Sequence, residues 1–540
     1  MKRGLVLVIV CAMLASALAA CTPKDPIEPD APSESVFRYG FTGNWSDTRN
    51  PLTFGYAIAG TLYMNLLYEP LIGLDLNNEW DPRLATDWSV SEDGLRWTFK
   101  LREGVKWHDG EVFDADDVVY TYKTTIDNQL SRYADVKAFV EVNKIDQYTV
   151  ELVTEEPKAD IILSFVYIVP EHVFGSMTTK EEIVAYQNDQ PVGTGPFRFV
   201  ADSMDQFVEY VANDDYWGGR PGIDRLMMVL YSNADTMYQA LATGEIDFCG
   251  LQATQEEAAK QVSGLTVLRY TAPSYTELGF NCWGADDDRT KPHPDSKGNP
   301  LVLDKTIRQA CDYAINFDNI VEDARGGLAN IEKSLVPKFI SKWWVDLSKE
   351  DYYREYSPEK AMALLENAGY IDRDNDGIRE DPNGNKLDFR FSVIEASYRE
   401  QALIIQQDLK KIGINTNIDF IDSGRMSEII DEQGFDTDMY IWGWSPGTVD
   451  PSYALSVITT GQRWGRSDCF YGNPEYDALY EAQKTIIDYD ERYAVVKEAV
   501  EIAYDEAPYI ILYTNVGLVG YNSEDWTGWQ QELSGMGSVW

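Results

Sequence analysis

LDFRFSVIEASYREQALIIQQDLKKIGINTNIDF, residues 387–420, decides the fold class. Leu387, Phe389, Phe391 and Val393 alternate with polar residues, the period of a half-buried strand. Ala402, Ile405, Leu409 and Ile412 then share one helical face, and Gly413 ends the helix. Ile414, Thr416, Ile418 and Phe420 alternate again. A strand, a helix and a strand with short joints form a βαβ unit, whose crossover should be right-handed.

The same mixed grammar extends outward. Trp97, Phe99 and Leu101 alternate as a strand that Gly104 turns. Asp114 to Asp117 reads as a capping box, with Val118, Tyr122 and Ile126 on one face. Asn233 caps a helix carrying Met237, Ala240 and Leu241. Ser357-Pro358 opens another that ends at Gly369. At 540 residues the chain has room for two to four lobes with large cores.

Acids outnumber Lys plus Arg by 89 to 46, a net charge of −43. Such a surface repels phosphate backbones, so no nucleic-acid partner is expected. Three histidines, His108, His172 and His293, are poor material for a histidine-rich metal site. The body cysteines Cys249, Cys282, Cys311 and Cys469 form no CxxC pair and leave three pairings open.

Lys2 and Arg3 precede an apolar run from Gly4 to Ala17, the form of a signal peptide over residues 1–20. Leu18-Ala19-Ala20-Cys21 resembles a bacterial lipobox, which makes Cys21 the expected lipidated N-terminus. Losing Lys2 and Arg3 takes the charge from −43 to −45. Residues 21–35 carry four prolines and read as a semi-extended tether. The expected location is extracytoplasmic, at the cell surface or in the periplasm, with a lipid anchor in the membrane.

Catalytic motifs fail on their own chemistry. Gly443-Trp444-Ser445-Pro446-Gly447 matches GxSxG, yet an oxyanion hole needs the N–H that Pro446 lacks. No histidine follows His293 to complete a triad. No GxxxxGK[ST] or HExxH occurs. Asp372, Asp374 and Asp376 with the Ile378 carbonyl match the first half of a calcium loop, but Asn383 stands where a closing Glu is needed, with Glu380 or Asp381 as the substitutes. A structural calcium is the only cofactor this pattern suggests.

Several stretches together resemble the large solute-binding proteins of ABC importers, the family-5 or cluster C group with its oligopeptide- and dipeptide-binding proteins. They run from LYEPLIGLD at 67–75 and WDPRLATDWSVSEDGLRWTFKLREGVKWHDGEVFDADDVVYTYK at 80–123 to VGTGPFRF at 192–199. LGFNCW at 278–283, IRQACDYAINFDNIV at 307–321, SPEKAMALLENAGY at 357–370 and GNPEYDALYEAQ at 472–483 follow in order.

The resemblance implies an α/β fold of the periplasmic-binding-protein type II-like kind. Two lobes would close about a hinge, with an additional α+β domain inserted in the N-terminal lobe. Lobe I would comprise 36–70, 192–277 and 510–540, domain II 71–191, and lobe III 278–509. The hinge is expected near Leu278–Cys282 and Pro508–Thr514.

The implied activity is capture of an oligopeptide or similar extended solute for a membrane permease, with ATP hydrolysed by a separate subunit. The chain is not expected to be an enzyme, and a monomer is expected. In peptide-binding members an Asp after the tryptophan pairs with the ligand ammonium; Gly447 stands there, leaving Asp450 as the substitute. Trp442, Trp444, Trp464 and Trp45 are candidate ligand platforms, suited equally to sugars and apolar side chains. Arg463 and Arg466 are candidates for a ligand carboxylate. An oligosaccharide ligand therefore stays open beside a peptide. Nickel or metal-chelate binding and a two-carboxylate hydrolase are the remaining alternatives.

Overall fold

The computed structural model describes residues 34–43, 48–53, 64–75, 80–161, 166–203, 206–286, 288–432, 435–446 and 449–528. The signal segment, Cys21, most of the tether, Trp45 and Gly447 lie outside the described residues.

Strand β1 (Val36–Thr42) is followed by a ribbon of β2 (Ile72–Leu74) and β3 (Trp80–Pro82). Next come β4 (Ala85–Val90), β5 (Arg96–Leu101), β6 (Phe139–Asp146) and β7 (Thr149–Thr154), an antiparallel sheet ordered β4-β5-β7-β6. Helix α1 (Ala115–Asp127) packs on it, and Asp114 makes the expected capping box. Trp97, Phe99, Leu101, Val118 and Tyr122 are buried in this unit's own core.

The remaining strands are β8 (Phe197–Ser203), β9 (Phe207–Ala212), β10 (Arg225–Tyr231), β11 (Phe248–Leu251), β12 (Leu265–Phe280), β13 (Ala329–Ile331), β14 (Asp388–Ile394), β15 (Asn415–Ile421), β16 (Met439–Trp444) and β17 (Tyr509–Asn522). With β1 they form one large sheet, ordered β15-β14-β16-β12-β17-β11-β1-β10-β9-β8, with β13 beside β17. One end packs on Phe37, Phe197, Tyr210 and Met228. The other packs on a larger core that includes Phe280, Phe389, Phe391 and Ile405. The fold is a two-lobed α/β architecture.

Among the described residues, β12 and β17, both long, are the strands that run through both halves. The N-terminal part of β12 pairs with Val516–Asn522, and Tyr275–Phe280 pairs with β16. Between these parts Ala272, Pro273 and Ser274 stand opposite the single residue Asn515. Pro273 has no N–H for the ladder, so the pairing loosens there as a bulge. The crossing thus lies N-terminal to the expected Leu278–Cys282 stretch; Leu278–Phe280 lies inside the ladder with β16.

The βαβ unit forms as its periodicity demands. β14 and β15 pair in parallel from Asp388↔Asn415 to Ile394↔Ile421. Helix α2 (Glu395–Lys411) joins them and buries Ala402, Ile405 and Leu409. Gly413, at φ +82°, ends it, a conformation that a Cβ would strain. Two further helices matter for the site, α3 (Ser452–Ser456) and α4 (Tyr489–Glu506).

Candidate functional site

β14 and β16 are parallel neighbours whose carboxyl ends point the same way. The helices after them lie on opposite faces of the sheet. A Cβ built on Gly443 would come 3.4 Å from the Tyr398 hydroxyl of α2. The next residue, Trp444, instead meets the ring of Tyr453 in α3, at 6.3 Å and 68°. This reversal is a topological switch point, and open α/β sheets bind ligands outside the strand ends there. β12 passes directly alongside, because Tyr275 is paired with Trp444. Gly443 is required by that approach, since a Cβ would sit 2.8 Å from the Tyr275 carbonyl oxygen. The crevice therefore lies beside the strands that join the lobes.

The candidate residues separate into distinct places. Trp442 and Trp444 share a face of β16, as alternation predicts, and both are half-buried. The Trp444 indole N–H is buried and has no acceptor among the described residues. Trp464 lies elsewhere. Its ring is edge-on to Trp283 at 5.4 Å and to Phe470 at 4.7 Å. Trp283 follows the far end of β12, eight residues beyond Tyr275. Trp464, 59% exposed at φ +65°, lines a separate cavity of about 590 Å³ with Trp283, His293 and Arg463. Arg463 is engaged there, donating to the Phe470 carbonyl at 3.0 Å and pairing with Asp286 at 3.1 Å. Sequence proximity suggested one site; strand length divides it in two.

Asp450 corrects the expectation of a substitute ammonium clamp. It is 4% exposed and forms an ion pair with Arg492 of α4 at 2.8 Å. Its Oδ1 also accepts the Ser452 N–H, so its carboxylate is committed to the loop's own structure.

Glu277 is the feature that motif reading passed over. It sits opposite Trp442 and is completely buried, and neither carboxylate oxygen has a hydrogen-bond donor. Burial, and then the neighbouring Asp468, push its carboxyl well above the ordinary range. The Tyr275 and Tyr440 hydroxyls nearby are also buried without partners. Tyr509 donates its hydroxyl to Asp468. The signal in sequence is a lone acid inside the apolar run YTELGF.

Asp372, Asp374 and Asp376 come together with Glu380, with one oxygen from each within 4.8 Å of the others. Of the two substitutes, Glu380 is the fourth acid of the cluster. Lys386 already provides a cation, reaching Asp374 at 2.8 Å and also contacting Asp376. Ile378 donates its N–H to Asp376 Oδ1. The oxygen-only donor set suits a hard cation, which would have to displace that ammonium. The four body cysteines are all buried and free. Among the described residues no helix is long and apolar enough to cross a membrane.

Comparison with known proteins agrees with this geometry. The family of bacterial extracellular solute-binding proteins, family 5 Middle, matches residues 79–466. The oligopeptide-binding protein AppA of Bacillus subtilis is 28% identical over 466 residues, covering 84% of this chain and 82% of its own. Heme-binding protein A of Haemophilus influenzae is 29% identical over 544 residues, covering 93% and 92%. The crystal structure of the ABC transporter substrate-binding protein CtaP from Listeria monocytogenes shares the fold, with a TM-score of 0.78 at 21% identity, over 93% of this chain and 99% of that one. Since the family match spans well over half of its length, the chain belongs to the bacterial extracellular solute-binding proteins of family 5.

Proposed function

We propose that the chain is the solute-binding component of an ABC importer and that it captures an oligopeptide or similar extended solute between its lobes. The observation that carries this reading is the switch point at the carboxyl ends of β14 and β16, where Trp444 meets Tyr453 beside the crossing strands. Lobe closure about the Ala272–Ser274 bulge would enclose the solute and present the closed form to a permease. The likeness to AppA favours peptides. The Cys21 lipid and the tether would hold the body at the membrane face.

The test is a thermal-shift screen of the chain from Ser33 onward, with di- to hexapeptides against cello-, xylo- and manno-oligosaccharides. A ligand at 100 times its dissociation constant adds about 2.7 kcal/mol of stability. A peptide hit supports the proposal. A sugar hit alone moves the chain to an oligosaccharide branch, and product formation from any probe would overturn a binding role. Trp444→Ala should weaken binding of the hit by more than ~1 kcal/mol, because an aromatic platform is lost. An unchanged dissociation constant by isothermal titration would remove Trp444 from the site.

A further inference from the structure

Acids outnumber basic residues almost two to one, so most arginines have a carboxylate within reach. Arg463 has Asp286, Arg399 has Glu395, Arg425 has Glu428 and Arg492 has Asp450. Arg466 differs. The residue is exposed and its guanidinium lies over the Tyr453 ring at 4.7 Å, with no ion pair among the described residues. The acids in its electrostatic surroundings, Asp468 beside Tyr453 among them, form no ion pair with it among the described residues. The Tyr480 phenol is within electrostatic reach of Glu481, Asp160, Arg466 and Asp450 together, and Glu481 is paired with Lys484. Asp160 is paired with Lys158 at 2.7 Å, and Asp450 is held by Arg492.

The second observation comes from β16. Tyr453, which supports Arg466, also touches Trp444, whose buried indole N–H lacks an acceptor. Guanidinium and indole are donors only. A planar fork of N–H groups stacked on an aromatic ring matches a carboxylate and would repel an ammonium. Resting on the solute-binding reading above, we propose that Arg466, supported by Tyr453 and joined by the Trp444 N–H, is the receptor for a carboxylate of the solute. For a peptide this is the C-terminal carboxylate or an acidic side chain; for a sugar, a uronate. The acid end of the solute then lies against the mouth of β16, where family resemblance alone would place an ammonium.

The test is titration calorimetry on the mature chain, with wild type, Arg466→Gln and, as a control in the separate cavity, Arg463→Gln. The probes are tetra-alanine, its C-terminal amide, the same amide with Glu at position three, digalacturonate and cellobiose. Wild type should bind the carboxylate-bearing probes at least tenfold more tightly than their neutral counterparts. Arg466→Gln should shrink that gap to under twofold, and Arg463→Gln should preserve it. The C-terminal acid against the Glu-containing amide tells which carboxylate is read. Binding of digalacturonate alone, lost in Arg466→Gln, would refute the peptide reading and keep this proposal. Equal binding of acid and neutral probes, a gap that survives Arg466→Gln, or no binding of any carboxylate-bearing probe overturns it.

Discussion

Asp450→Ala is expected to lower the unfolding free energy by about 3–5 kcal/mol, because it leaves the Arg492 guanidinium buried without a counter-charge. Both side chains are 4% exposed, and the pair sits at 2.8 Å. Arg492 also donates to Gln483 Oε1 at 2.7 Å and to the Ala159 carbonyl at 3.2 Å. Ala159 in turn donates its N–H to the Lys484 carbonyl at 2.7 Å. One guanidinium thus connects the loop after β16 to the segment after β7, reaching across 333 residues of sequence from Arg492 to Ala159. Losing the anion should loosen both, so ligand affinity falls as a consequence of disorder rather than of a lost contact. Replacing both partners, with Asp450→Leu and Arg492→Met, should recover most of the stability, since no charge is then stranded. Urea midpoints measure the first effect and titration calorimetry the second. If Asp450→Ala keeps its midpoint while binding vanishes, Asp450 is a ligand group after all.

This ion pair shows why the site was harder to read in sequence than the fold. Periodicity is local, so the strand at 387–393 and the face of Ala402, Ile405 and Leu409 could be read within a few residues. The same holds for the capping box at Asp114, whose partners lie within one helical turn. Asp450 finds its partner 42 residues away, on a helix whose amphipathic pattern gives no reason to single out Arg492. Trp464 and Trp444 are twenty positions apart in sequence and were grouped for that reason. Trp464 packs on Trp283, past the end of β12, while Trp444 is paired with Tyr275 within that strand. Arg466 was visible as a charge, but its lack of an ion pair among the described residues is a property of three dimensions. The bulge at Ala272–Ser274 was legible in principle, because Pro273 interrupts a strand ladder; family resemblance drew attention further along the strand.

Glu277→Gln should make the protein more stable than wild type, by a margin that widens as pH rises. The side chain is completely buried, and the charged group acting on it is another acid, Asp468. Packed around it are Tyr275 and Tyr440, which are equally short of partners, and Tyr398, whose phenol its field also raises. Its folded-state pKa lies well above the ordinary 4.5, so the folded chain holds a proton that the unfolded chain releases. The stability this brings is complete below the unfolded value. It is lost as pH climbs through the folded value, at about 1.4 kcal/mol for each pH unit inside that window. Glutamine is nearly isosteric and does not titrate, so Glu277→Gln escapes the loss. Near pH 4.5 the two proteins should unfold at similar urea concentrations, and by pH 7 the variant should outlast the wild type. Parallel stability curves from pH 5 to 8 would mean that the carboxyl is not strongly shifted. The effect bears on binding because Glu277 is paired across the ladder with Trp442, next to the crevice. A solute that reorders that strand end would change the exposure of the carboxyl. Proton uptake or release on binding, read as a dependence of calorimetric enthalpy on buffer ionisation, should therefore be present in wild type and absent in Glu277→Gln.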